Sequence, residues 1–532
     1  MGTMLLWIEA LAAAVLLFAV PLVLLLRIES PWGRRLLVPV GLLLGIPAVL
    51  PMLLVNIFEL SSAWPQQWWW FGAILWACSY LALATVLGVV GSRRVGDPPR
   101  LAAADWPVSW FLLGMVVCVG LMLATLTSMD TAAQIQLASL RAEAASLAHI
   151  AVPARPADAD NAAPLYQQAF ETLQFDRLST RRRLWLENPR KADLNDADLI
   201  DFLENSQQSI FLLERASRRP TCFFVHSHYA RADMLVPELE LMRNGARLLA
   251  LDARWQAAQG QNLAALRDVA ILRRMAHHAC DEPYLMSFLV SAAIDGIAFQ
   301  TLDEILSCHP ENAKALEQLA QISSPLYRQV LQRALQMEQA MVLTVFADLS
   351  IGDTDGATVL SEPSWRPPGL LVSFWRIFLL PEDLASYRGL MSRDIGQLGR
   401  PYPDEPRPAQ AVPPTGLITR MLYPALEKMP DNAARADAWE RVMDTAVAVA
   451  RFNLAEQKYP EQLDQLVPRF LPYVPIDPFS GKPLRLKKRG TGCVVYSIGT
   501  NRVDDDGTVD AQQPWTGDVV IRIGTDVKKN ED

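Results

Sequence analysis

The chain has 532 residues, is 51% hydrophobic and only 20% charged, and carries a net charge of −8; an average soluble domain is about 25% charged. Residues 1–128 hold 6 Lys+Arg and 5 Asp+Glu, whereas residues 129–532 hold 43 and 52, so the first quarter reads as membrane and the rest as an acidic, water-facing region. This partition excludes a simple cytosolic enzyme, a disordered chain and a nucleic-acid binder led by positive charge, and six Cys in a chain of this length exclude a small disulfide framework.

Four apolar stretches, 4–26, 36–58, 68–91 and 107–127, each exceed 20 residues. At about 1.5 Å per residue, each crosses a hydrocarbon core of ~30 Å. The first lacks a basic start and is too long for a signal peptide, so it reads as a retained helix. Arg27, Arg34 and Arg35 lie in the first connection and Arg93, Arg94 and Arg100 in the third, while the second, 59–67, has no Lys or Arg. The first and third loops are therefore expected in the cytoplasm, with both termini outside, in the periplasm. Trp64, Trp68, Trp69, Trp70, Trp106 and Trp110 cluster at span ends, as interfacial indoles do. No span carries a charge near its centre, which favours an anchor over a conduit.

Residues 129–350 read as an exterior α-helical domain. The clearest unit is 234–279, where Leu241, Ala246, Leu248, Leu249, Leu251 and Trp255 share a helical face, Gly260 stands where a C′ glycine belongs and Asn262 opens a second helix. This spacing predicts an antiparallel helical hairpin. Helices are expected again over 284–306 and 325–349. Residues 351–430 hold twelve prolines and one apolar run, 370–380, too short to span. They are expected to form a Pro-rich linker with one short helix, packed on the domain or lying on the outer leaflet.

His226-x-His228 and His277-His278, near Cys280, Asp281 and Glu282, are the candidates for a metal centre of an exterior hydrolase. Adjacent histidines on a helix diverge by about 100°, which opposes shared ligation by His277 and His278. In an oxidising compartment Cys222, Cys280 and Cys308 allow one disulfide, of which Cys280–Cys308 is the easier pair.

The segment 431–532 opens with a helix over 433–457, with Trp439, Val442, Met443, Val447, Ala450 and Leu454 at helical spacing, and stops at Tyr459-Pro460. Turn-rich chain follows, then alternating strands at 484–488, 492–498 and 518–523 around an acidic loop at 501–507. The order Tyr459-Pro460, Leu463, Leu466, Pro475-x-Asp477-Pro478-Phe479-x-Gly481-x-Pro483, Tyr496-Ser497-Ile498-Gly499, acidic loop and Gly517-Asp518-Val519 resembles the globular head of the major pseudopilin of type II secretion. The overall plan resembles bacterial multi-pass membrane proteins that carry such a head. The resemblance implies a small α+β fold and a calcium site at Asp504, Asp505, Asp506 and Asp518. A hard cation takes six to eight oxygens, and three adjacent carboxylates repel one another unless neutralised.

The expected fold class is therefore mixed: a four-helix transmembrane bundle, an exterior all-α helical-hairpin domain and a pseudopilin-like α+β head. The expected function is a membrane-anchored exterior scaffold or protein-binding component, linked to a secretion or envelope assembly, with the lipid bilayer and a protein as partners and no nucleic acid. The alternative is the metal-dependent hydrolase built on His226, His228, His277 and His278.

Overall fold

Glycine 260, with φ +76°, ends one long helix and lets the chain reverse into the next. In a computed structural model that describes residues 131, 135–224, 236–307, 312–322, 326–351, 379–398, 416–509 and 517–525, the helices on either side of it are Pro237–Ala258 and Asn262–Ala279. They pack closely as the expected hairpin. The four expected membrane spans within 1–128 lie outside the described residues, as do 352–378, 399–415, His226, His228 and Cys308.

In chain order the helices are α1 (135–151), α2 (Ala163–Leu173), α3 (Thr180–Glu187), α4 (Ala197–Asn205), α5 (Gln207–Ser217), α6 (Pro237–Ala258), α7 (Asn262–Ala279), α8 (Leu285–Ser307), α9 (Ala313–Ala320), α10 (Tyr327–Ile351), α11 (Leu380–Leu398), α12 (Leu417–Leu426) and α13 (Met429–Glu456). Strands β1 (Arg485–Arg489), β2 (Gly492–Ser497) and β3 (Val519–Ile523) form one antiparallel sheet in the order β1-β2-β3. The class is thus mostly helical with a small three-stranded sheet. Helix starts follow the sequence chemistry: the Ser179, Asp196 and Asn312 side chains accept from backbone N–H groups at the first turns of α3, α4 and α9.

Among the described residues only α8 is long and apolar enough to cross a membrane. Its surroundings make it the central core helix: α6, α7, α10, α13 and β3 pack against it. It contributes Ile294, Ala298, Leu302 and Ile305 to one apolar core and Phe288 and Ala292 to another. Helix α13 likewise serves both, with Val442, Met443 and Val447 in the first and Ala433 and Ala436 in the second. Two helices that are apolar on opposite faces therefore weld the two cores together.

Two expectations need correction. The first is a division at residue 430. Residues 135–532 are one compact unit. The inner face of the sheet, Val495, Ile521 and Ile523, shares a core with Leu302, Ile305 and Leu306 of α8. Arg522 of β3 binds Asp303 of α8 through its backbone N–H (2.8 Å) and its guanidinium, and Gly524 N donates to Leu306 O (3.0 Å). The head buries its apolar face on the helical region instead of closing on itself.

The second correction is the linker over 351–430. Helices α11 and α12 occupy part of it and bury Leu384, Tyr387, Met391, Ile418 and Leu426 in the core that α10 lines. Asp383, in the first turn of α11, ties the two helices by accepting from Ile418 N and Thr419 N at the start of α12, at 2.9 Å each. Gly416 permits this contact: its φ is +91°, and a Cβ there would sit 2.4 Å from Asp383 Oδ1.

Candidate functional site

Helices α6, α8 and α13 leave a cleft of about 700 Å³ between them, lined also by residues 187–191. Its floor is apolar, made by Leu289, Ala292, Ile297 and the indole of Trp439. Gly296 shapes that floor: a Cβ there would lie 3.1 Å from the Trp439 ring, so only glycine lets the indole lie against α8 without displacement. The rim is basic. Arg190, Lys191, Arg243, Arg247, Arg254 and Arg435 line the cleft against only two acids, Glu187 and Glu304. Glu304 binds both Arg190 Nε (2.7 Å) and Arg254 Nε (2.6 Å). On the α6 side, Glu240 pairs with Arg243 at 2.6 Å and meets Arg247 only at 3.9 Å. Burial and the neighbouring Arg243 push the Arg247 guanidinium below its usual range, and burial does the same for Arg435. The cleft therefore holds an excess of positive charge over an apolar base, on a protein that is acidic overall.

The histidines separate as their helical offset requires. His278 is buried, with Tyr166 Oη 2.8 Å from Nδ1 and Arg219 O 2.9 Å from Nε2. Both ring nitrogens are taken, and burial lowers its pKa to about 4, so it is a neutral packing histidine and not a ligand. His277 points the other way, with Nε2 3.2 Å from Glu440 Oε1. Behind it lies a buried polar network. Arg273, fully buried, pairs with Glu440 and with Asp444 (2.9 Å), and Tyr327 Oη–H donates to Asp295. Burial, then the nearby Glu440, hold the Asp295 carboxyl well above the usual carboxylate range. His226 and His228 lie outside the described residues. Cys280 is a buried free thiol, 2.8 Å from Ser291 Oγ, and not half of a disulfide.

In the head, Asp477 is the fixed point of the Pro475–Pro483 turn. It accepts from Phe479 N (2.9 Å), Ser480 Oγ (2.9 Å), Ser497 Oγ (2.7 Å) and Ile498 N (3.2 Å). The four aspartates that the resemblance implicates each have a protein partner. Asp504 meets Arg485 Nε at 2.8 Å and Tyr496 Oη at 3.2 Å, Asp506 pairs with Lys487, Asp505 accepts from Asn501 (3.0 Å), and Asp518 accepts from Gly507 N (2.8 Å). Asp518 Oδ1 has no hydrogen-bond partner, and burial raises this carboxyl to about 6.

Sequence spacing could not assemble the cleft, because its arginines come from segments up to 245 positions apart, from Arg190 to Arg435. The one local sign was Arg243-x-x-x-Arg247, two cations on one helical face without an acid of equal reach between them. No protein-family model matches this chain, and neither a curated protein nor a solved structure matches it.

Proposed function

We propose that this protein is a membrane-anchored exterior binding component that holds an acidic protein segment in the cleft between α6, α8 and α13. The observation that carries this reading is the pairing of an apolar floor around Trp439 with six cationic side chains against two acids. Such a site rewards a segment that places one aromatic or aliphatic side chain on the indole and carboxylates on the rim. Arginine rims also recruit such partners from a distance, because the field of the cleft opposes the acidic charge of the rest of the molecule. The apolar stretches in 1–128, with their arginine-marked connections, supply the anchor, and the same charge pattern puts both termini and residues 129–532 in the periplasm. The pseudopilin-like order of motifs in 431–532 ties this reading to a secretion or envelope assembly. Calcium at the head loop belongs to the same reading. Its support is the unpartnered Asp518 Oδ1 beside Asp504, Asp505 and Asp506.

The test uses the full chain in detergent and a fluorescent peptide of alternating acidic and aromatic residues, followed by anisotropy. Binding should weaken with salt and fall by about tenfold or more in Arg247→Glu, which reverses one contact worth roughly 1.5–3 kcal/mol. A peptide with lysines in place of the acids should not bind. Equal binding of both peptides, or an Arg247→Glu protein that binds as the wild type does, would remove the reading. Preference for anionic lipid vesicles over the peptide would replace the protein partner with a membrane one.

A further inference from the structure

We propose that His277, Asp295 and Glu440 form a site for one divalent transition-metal ion of the zinc type, independent of the cleft. The three residues come from α7, α8 and α13, and one ligand atom from each lies within 4.8 Å of the others. Ligands about 2.0–2.1 Å from a tetrahedral zinc ion stand roughly 3.3 Å apart, so closing on an ion asks for side-chain movements of about an ångström.

The supporting atoms are arranged as around a metal ion. Each carboxylate has one oxygen held by a neighbour. Tyr327 Oη–H donates to Asp295 Oδ2, while Asp295 Oδ1 is buried with no hydrogen-bond partner. Arg273 binds Glu440 Oε2, while Glu440 Oε1 lies 3.2 Å from His277 Nε2. Ligating carboxylates elsewhere are oriented by such outer partners. The outer layer is itself fixed. Ser291 Oγ donates to Ala276 O (2.7 Å), stands 3.0 Å from Tyr327 Oη and takes the Cys280 thiol at 2.8 Å.

The ion would sit beside Arg273, which is fully buried and pairs with Glu440 and Asp444. The donor set selects its class: one imidazole with two carboxylate oxygens suits zinc, whereas calcium takes oxygens only and in larger number. Three protein ligands also leave a coordination position. Of the three ligands, His277 also lines a pocket of about 380 Å³, together with Arg219 and Arg274.

The test is metal binding by the full chain in detergent, stripped with chelator, re-dialysed against zinc and assayed by elemental analysis and calorimetry. Wild type should retain one equivalent. Asp295→Asn and His277→Gln should weaken binding on the order of 100-fold. Asp295→Asn keeps an acceptor for Tyr327 and the size of the side chain, so it should stay folded, as near-ultraviolet circular dichroism will report. Excess calcium should not displace the zinc. Absence of retained zinc in the wild type, undiminished zinc in both folded variants, or displacement by calcium would each overturn the assignment.

Discussion

Arg522 and Asp303 join the C-terminal sheet to the central helix, the backbone N–H and the guanidinium of one closing on a single carboxylate of the other. Asp303 is nearly buried, with its side chain 10% exposed. The sheet packs against α13 and α8, and of these two helices only α13 belongs to its own segment. Residues 429–532 expressed alone should therefore expose Val495, Ile521 and Ile523 and fail to give sharp near-ultraviolet circular dichroism. In the full chain Asp303→Ala should cost about 1.5–3 kcal/mol, the range for hydrogen bonds to a charged group, and should speed amide exchange in β3 ahead of α7. A cooperative thermal transition for the isolated segment would show that the head closes its own core.

His278 should make the fold acid-sensitive. Burial holds its folded pKa at about 4, and the unfolded imidazole titrates near ~6.5. The unfolded state therefore binds the proton first as pH falls. Stability from keeping this ring neutral is complete above the unfolded pKa and is lost as pH drops from there toward 4. The loss is about 3 kcal/mol over the full window. Asp281, Asp437 and Asp518, each raised to about 6 chiefly by burial, work in the opposite sense, since their folded forms hold the proton more tightly. A comparison of wild type with His278→Gln cancels those carboxyls. The difference in urea-unfolding free energy between the two proteins should shrink by about 3 kcal/mol from pH 7 to pH 4. A difference that does not change with pH would mean that the ring is not held neutral.

How much of this was legible in the sequence depends on how local each signal is. The α6–α7 turn could be read because one glycine at C′ marks it, and the head's strands because alternation is a two-residue pattern. Helices α11 and α12 were hidden by composition. Proline-rich neighbours mask Leu384, Tyr387 and Met391, which recur at helical spacing behind the acidic first turn of Glu382 and Asp383. The motif around Asp477 was visible as a pattern. Its role as an anchor for donors from several segments needed the position of Ser497, twenty residues on. His277 was a candidate from sequence, but its company was not: Glu440 is 163 positions away, and no spacing rule brings α7, α8 and α13 to one point. Its neighbour His278 differs in that both ring nitrogens are occupied, by Tyr166 Oη and Arg219 O, which lie 112 and 59 positions away.

The acidic loop of the head yields the last prediction. Asp504 and Asp506 stand beside Arg485 and Lys487 of β1, so protein cations already neutralise two of the four carboxylates that the resemblance assigns to calcium. The side chain of Lys487 holds Asp506 below the usual carboxylate range. Calcium must therefore displace these side chains, and its effect on wild type should be small. Lys487→Gln releases Asp506 and removes the competitor, leaving Asp504, Asp505, Asp506 and the unpartnered Asp518 Oδ1 facing a shortage of positive charge. The melting temperature of Lys487→Gln should rise in calcium relative to chelator, and by more than that of wild type. By linkage, calcium at about 100 times its dissociation constant adds about 2.7 kcal/mol. Magnesium should do less, because it keeps its waters and demands octahedral ligands. Asp518→Asn in the same background should abolish the response. Superimposable curves in calcium and chelator for Lys487→Gln would leave the loop as a sheet cover held by ion pairs, with Gly507 packed on Tyr496 and Val494 and no cation of its own.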